Sequence, residues 1–178
     1  ADPGSRNNGQ GGIAGIEDID AVRRVVEEAG LDWSDPAPFA PGVALGEALL
    51  TPTRIYVRQI IETIRGSGAV KALAHVTGGG LTDNIPRVLP EGLAAEIDLG
   101  TFALPAVFAW LQVEAGLDQK EMLRTFNCGI GMILIVSPQE VERVLKHLDD
   151  ETRVIGAIAK RGRGEAVRYK GERAWGDR

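Results

Sequence analysis

The residues best suited to chemistry lie in HVTGGGLTDN, residues 75 to 84, where three glycines follow a histidine and a threonine. The short apolar segment before them, at 71–77, is predicted to be a buried strand. LTDNIPRVL follows them and is predicted to be a helix. A strand-to-helix junction offers free backbone N–H groups and the positive end of the helix dipole, and both favour an anion. Gly78, Gly79 and Gly80 are therefore predicted to form a phosphate cradle, or else a tight turn between a closely packed strand and helix.

Three side chains around these glycines are candidates for the same site. His75 ends the predicted strand and is either a catalytic group or a hydrogen-bonded core histidine. The Thr77 hydroxyl is suited to bind the anion, but it is equally suited to satisfy a turn. Asn84 lies on the helix that follows and is a candidate binding residue.

A second glycine-bearing junction occurs in TFNCGIGM, residues 125 to 132. Asn127 precedes Gly129 and Gly131, a spacing that suits close approach of the backbone to a ligand and equally suits a β-bulge. Cys128 is the only cysteine, so an internal disulfide is excluded. Because no sequence feature supplies a base for it, Cys128 is interpreted as a buried structural thiol.

Composition restricts the function classes. The chain has 178 residues, of which 44% are hydrophobic, and this suits one soluble globular domain. A net charge of -5, without a dominant basic run, argues against a nucleic-acid partner. The two histidines lie far apart and show no zinc-ligand spacing, so no metal site is predicted. No apolar run is long enough to cross a bilayer.

Periodicity predicts interspersed helices and strands. An amphipathic helix begins near Asp18 and ends at Gly30, residues 31–42 are irregular, and a second helix carries an apolar face. That face comprises Val57, Ile60, Ile61 and Ile64. Further helices are predicted over 104–115, after Asp118 and after Ser137; further strands over 92–98 and 131–136; and a terminal hairpin within 152–171. This alternation predicts a layered α+β (α/β) domain.

The two ends of the chain differ from its centre. Residues 1–16 are small, polar and rich in glycine, and they are predicted to be a disordered or non-native leader. Residues 17–172 are assigned to the folded domain, and 173–178 to a tail.

Three segments together resemble the C-terminal half of phosphoribosylformylglycinamidine cyclo-ligase, also called aminoimidazole ribonucleotide synthetase. They are LGEALLTPTRIYV, AHVTGGGLTDNIPRVLP and MLRTFNCGIGMILIV, and the similarity runs from about Val22 to about Val167. The resemblance implies a three-layer αβα domain with a mixed sheet. It also implies that His75, Thr77 to Gly80, Asn127 and Gly129 line the active-site cleft.

The resemblance further implies an activity. Members of this family close the imidazole ring in purine biosynthesis by converting formylglycinamidine ribonucleotide to aminoimidazole ribonucleotide. They use ATP to activate the formyl oxygen, require Mg²⁺, and are cytoplasmic homodimers. Their N-terminal half supplies most of the nucleotide site and has no counterpart in this sequence. The chain alone is therefore expected to hold neither cofactor and to be inactive, and the alternative is a non-catalytic folding or association module.

Overall fold

The computed structural model describes residues 19–171, and within them it has an α+β architecture. The predicted leader 1–16 and tail 173–178 lie outside the described residues. Strands and helices alternate along the chain, as the periodicity predicts. The helices are α1 (Ile19–Glu28), α2 (Leu45–Leu49), α3 (Val57–Ser67), α4 (Gly80–Asn84), α5 (Ala106–Ala115), α6 (Gln119–Thr125) and α7 (Val141–Leu145). The strands are β1 (Val70–His75), β2 (Leu93–Asp98), β3 (Met132–Val136), β4 (Gly156–Lys160) and β5 (Val167–Lys170).

The strands form two sheets. In the first, β1 pairs antiparallel with β3, and His75 lies opposite Met132. In the second, β2 is central, with β4 antiparallel on one edge and β5 parallel on the other. The second sheet is therefore mixed, as the family resemblance implies.

The prediction of a terminal hairpin is wrong, because β4 and β5 do not pair with each other. Both pair with β2, so the chain passes from one edge of that strand to the other. Charge pairing favours this arrangement: Glu96 on β2 accepts from Arg168 and Lys170 on β5, each over 3.0 Å. A two-strand pattern in the sequence cannot show that a third strand lies between the two.

The core is built around α1, α5 and α6. Gly30 ends α1 with φ +66°, as predicted, and α1 packs against α5. Residues 31–42 are irregular apart from one isolated bridge, but they lead into α2, which the periodicity did not reveal. The largest fully buried core side chains on α5 and α6 are Phe108, Leu111, Met122 and Leu123.

The predicted apolar face of α3 is mostly exposed and is not the face that the helix buries. Val57, Ile61 and Ile64 are 63%, 41% and 39% exposed, and of the four predicted residues only Ile60 is buried. Thr63 and Ser67 are buried instead, because their hydroxyls donate to carbonyls one turn earlier, over 2.8 and 2.7 Å. Such hydrogen bonds satisfy the polar groups and remove the main cost of burying them.

Two of the predicted helices are divided. The helix after the glycines stops at Asn84 and continues as a 3₁₀ turn over Ile85–Val88, consistent with Pro86 in that turn. The helix predicted after Ser137 starts as a 3₁₀ turn, Pro138–Glu140, and becomes α7. Each described helix falls short of the length and apolarity that a membrane span requires.

Candidate functional site

The glycine turn, residues 77–80, connects the end of β1 to the start of α4. Gly79 and Gly80 have φ values of +89° and +55°, a left-handed backbone that side chains with a Cβ rarely adopt. The Gly80 N–H donates to the Thr77 carbonyl over 3.0 Å and closes the turn. The three glycines thus reverse the chain immediately after the strand, as the strand-to-helix prediction requires.

Close packing accounts for Gly80. A Cβ at this position would run into the carbonyl oxygen of Leu123 and lie 2.6 Å from that of Phe126, so α6 rests directly on the turn. Gly80 therefore fits the structural alternative, a tight contact between helix and turn. In the described part of the chain, the N–H groups of Gly78 and Gly79 donate to no protein acceptor. These two amides are the part of the triplet able to bind an anion.

Asn84 acts on the turn from the far end of α4. Its side chain is 4% exposed, and its Nδ2 lies 2.8 Å from the Gly80 carbonyl and 3.0 Å from that of Gly78. A longer contact of 3.3 Å reaches the carbonyl of Thr77. The amide nitrogen of Asn84 is thus used on the turn itself, where it fixes the carbonyls of Gly78 and Gly80.

His75 is exposed and lies beside an aromatic neighbour that the sequence analysis did not single out. The Tyr56 ring meets the His75 imidazole edge to face, with 6.3 Å between ring centroids. Burial raises the pKa of Tyr56, so its phenol stays neutral at physiological pH. The guanidinium of Arg54 lies 5.7 Å from the centroid of the same ring and pairs with Asp149. Arg54 and Tyr56 belong to TPTRIY, residues 51 to 56. The polar residues clustered there were a sequence feature that could have marked this segment as part of the site.

The second glycine junction lies against the first. The N–H of Val76 donates to the Gly131 carbonyl over 2.9 Å, and a Cβ on Gly131 would collide with the phenol oxygen of Tyr56. The buried Asn127 side chain accepts from the Gly129 N–H over 2.9 Å. A Cβ on Gly129 would lie 2.8 Å from the ring of Pro105. Local turn geometry and packing therefore account for the positions of Asn127 and Gly129.

Cys128 is fully buried, as expected of a structural thiol. Its Sγ lies 3.6 Å from the Met122 carbonyl and 3.7 Å from the Phe126 carbonyl. Its φ of +50° is unusual for a residue with a side chain, and it lets the backbone turn between Asn127 and Gly129.

An acidic side chain, Asp83, lies next to the turn, and a basic one, Arg124, lies beside Asp83. A Cβ on Gly79 would lie 3.2 Å from the Asp83 carboxylate, and that carboxylate is 3.6 Å from the guanidinium nitrogen of Arg124. In residues 19–171, no group of three or more His, Cys, Asp or Glu side chains could hold a metal ion. The site as built therefore combines two backbone amides, one hydroxyl at Thr77, one imidazole and the Asp83 carboxylate, whose negative charge Arg124 offsets in part.

The structure thus brings the two predicted junctions together and separates their members by role. Gly80, Asn84, Asn127 and Gly129 have contacts that fix the backbone of the two turns, whereas His75 is exposed and Thr77, Gly78 and Gly79 are half-buried. A family model described as AIR synthase related protein, C-terminal domain, matches residues 14–168. That range includes the glycine turn, the second junction and both sheets up to Arg168 in β5. The chain belongs to the family of AIR synthase related proteins, of which it carries the C-terminal domain.

Proposed function

We propose that the chain is the C-terminal domain of an ATP-dependent cyclo-ligase that converts formylglycinamidine ribonucleotide to aminoimidazole ribonucleotide in purine biosynthesis. Family membership supports a ligase or synthase of this general kind. The finer assignment is supported by the three segments quoted above, above all the glycine turn and the TFNCGIGM junction.

The observation that carries the proposal is the pair of unused N–H groups at Gly78 and Gly79. They lie at a strand-to-helix turn, next to the Thr77 hydroxyl, in a bend that Asn84 clamps through its carbonyls. Backbone donors fixed in this way need no rearrangement when they bind a phosphoryl oxygen. A phosphoryl group is common to ATP and to the ribonucleotide, so the turn suits either ligand.

The side chains take different roles in this proposal. His75 is the catalytic candidate, because its exposed imidazole is able to hold or move a proton near the turn. Thr77, Gly78 and Gly79 bind the phosphoryl oxygens. Gly80, Asn84, Asn127 and Gly129 contribute by keeping the backbone in position. Electrostatic clamping of a transferring phosphoryl group is the general logic of such sites.

ATP and Mg²⁺ are proposed as cofactors of the complete enzyme. Bound Mg²⁺ would neutralise charge on the transferring phosphoryl group. The described residues fit a phosphoryl group at the turn, but they do not provide a metal site by themselves. No step of the proposal is therefore assigned to a metal held by this chain.

The proposed partners are the ribonucleotide substrate, an N-terminal half that completes the nucleotide site, and a second subunit in a cytoplasmic homodimer. Neither a nucleic acid nor a membrane is a proposed partner. A second candidate function is a non-catalytic association module. The exposed apolar stripe of Val57, Ile61 and Ile64 on α3 favours it, because exposed apolar surface marks contact sites.

An amide-resolved NMR titration tests the proposal, with inorganic phosphate, ATP with Mg²⁺, and the substrate ribonucleotide added separately. We expect shifts at 75–84 and 127–131, and none at the remote turn around Gly162, which serves as internal reference. A folded spectrum without shifts at the glycine turn for any of the three ligands would contradict the phosphate role. Turnover by this chain assayed alone would contradict the assignment of most of the nucleotide site to another half.

A further inference from the structure

The last described strand reaches α4, the helix that begins at the glycine turn, through one side chain. Tyr169 on β5 places its phenol oxygen 2.8 Å from the Thr82 hydroxyl, in the first turn of α4. β5 pairs with β2 on the second sheet, whereas the glycine turn extends from β1 on the first. This contact therefore links the second sheet to α4, two residues after the turn, across 87 residues of sequence.

The direction of this hydrogen bond follows from the partners of Thr82. Its hydroxyl also lies 3.2 Å from the Leu123 carbonyl, which is able only to accept. A threonine hydroxyl has a single hydrogen, so Thr82 donates to Leu123 and accepts from the Tyr169 phenol. Burial raises the pKa of Tyr169 to about 12, so the phenol keeps the proton that it donates.

One end of this relay, the Leu123 carbonyl, touches the turn. The Leu123 carbonyl that accepts from Thr82 is also the one against which Gly80 packs without room for a Cβ. It lies in the last turn of α6, where carbonyls have no partner within the helix. The relay thus satisfies that carbonyl and fixes α6, α4 and the bend at Gly80 relative to one another.

We propose that Tyr169 is a positioning residue, which holds Thr82 and thereby orients the N–H groups of Gly78 and Gly79 toward a phosphoryl group. The inference rests on the proposed phosphate-binding function of the turn. It gives β5, the last strand in the described chain, a role in ligand binding that requires no contact between β5 and the ligand.

The test measures the affinity of the full chain for inorganic phosphate by NMR, together with amide hydrogen exchange at 78–83. Tyr169→Phe removes the donor, and Thr82→Val removes the relay. Thr82→Ser keeps the hydroxyl and is the rescue variant. Thr51→Val is the matched control, because the Thr51 hydroxyl donates to the Ala48 carbonyl at the end of α2, and no described hydrogen bond joins it to Tyr169, Thr82 or Leu123. Urea unfolding of each variant separates global destabilisation from local effects.

We expect Tyr169→Phe and Thr82→Val each to weaken phosphate binding by about three- to tenfold, in line with the loss of one hydrogen bond. The double variant should bind phosphate no more weakly than whichever single variant binds it more weakly, because both substitutions remove the same relay. Thr82→Ser and Thr51→Val should bind like the original chain. Exchange at Gly80 and Asp83, whose N–H groups donate to the carbonyls of Thr77 and Gly79, should accelerate only in the two disruptive variants.

Two results would overturn the inference, and they are distinguishable. If the original chain binds phosphate at the turn and both disruptive variants bind equally well, the positioning role is wrong and the proposed function stands. If the original chain shows no phosphate shifts at 78–82, the proposed function fails, and the inference fails with it.

Discussion

The side-chain nitrogen of the buried Asn84 donates to the Gly80 carbonyl over 2.8 Å, so α4 ties down the turn from which it begins. The same nitrogen lies 3.0 Å from the Gly78 carbonyl. One side-chain amide therefore holds two carbonyls of the turn. The N–H groups of Gly78 and Gly79, which donate to no acceptor among the described residues, belong to this clamped turn.

Asn84→Ala tests the clamp. The substitution leaves the carbonyls of Gly78 and Gly80 without this donor, and we expect a loss of about 1–3 kcal/mol in the free energy of unfolding. Urea unfolding at neutral pH measures it. Gln139→Ala removes an exposed amide and should change stability by less than about 0.5 kcal/mol. Equal effects of the two substitutions would show that Asn84 does not hold the turn.

Gly80→Ala tests the packing of the turn on α6. The left-handed backbone costs an alanine about 1–2 kcal/mol, and the collision with the Leu123 and Phe126 carbonyls adds about 1–3 kcal/mol. Gly116→Ala is the matched control, because Gly116 has φ +62° and a Cβ added there would meet no atom within 4 Å. Thermal or urea unfolding should rank Gly80→Ala well below Gly116→Ala. If both lose the same stability, the backbone conformation alone explains the glycine.

The features that could be predicted well from the sequence are those set by residues close together in the chain. Asp118 caps α6 by accepting from the Glu121 N–H over 2.8 Å, and a cap of this kind acts within four residues. Gly30 and Gly116 end their helices with a left-handed backbone for an equally local reason. The glycine turn was predictable because a strand, three glycines and a helix follow one another directly.

Non-local pairing was not predictable in the same way. The position of β5 beside β2 brings Glu96 to Arg168 and Lys170, which are distant from it in the sequence. Thr63 is buried on α3 while Ile61 is exposed. The Thr63 hydroxyl donates to the Gln59 carbonyl one turn earlier, and this hydrogen bond makes its burial possible. The contact of Tyr56 with His75 likewise requires the fold, because nothing in the spacing of the two residues indicates it.

Asp83→Asn tests the electrostatics of the turn. The carboxylate lies next to Gly79 and opposes an anion there, while Arg124 neutralises part of its charge. Removing the negative charge should tighten the binding of inorganic phosphate by about threefold at low salt. Arg124→Gln should act in the opposite direction, and both effects should shrink as salt is added. A titration in which neither substitution changes the affinity would place the phosphate elsewhere.

The pH dependence of stability provides a test of the Tyr169 relay at the alkaline end. The folded-state pKa of Tyr169 is about 12, above the ordinary value of 10.0, mainly because of burial. Nearby Cys128, Asp83 and Glu165 raise it further. Above about pH 10 the unfolded chain releases this proton and the folded chain keeps it, so the unfolded state binds fewer protons and stability falls as pH rises.

This loss should amount to about 2–3 kcal/mol between roughly pH 10 and pH 12, and it should be complete only above the folded pKa. Lysines also titrate in this range, so the informative quantity is the difference between the original chain and Tyr169→Phe, measured by urea unfolding at each pH. The phenylalanine variant has no phenol to ionise, and its stability should therefore fall less steeply with pH. Parallel curves for the two proteins would mean that Tyr169 ionises as freely in the folded chain as in the unfolded one, and the buried donor to Thr82 would then be wrong.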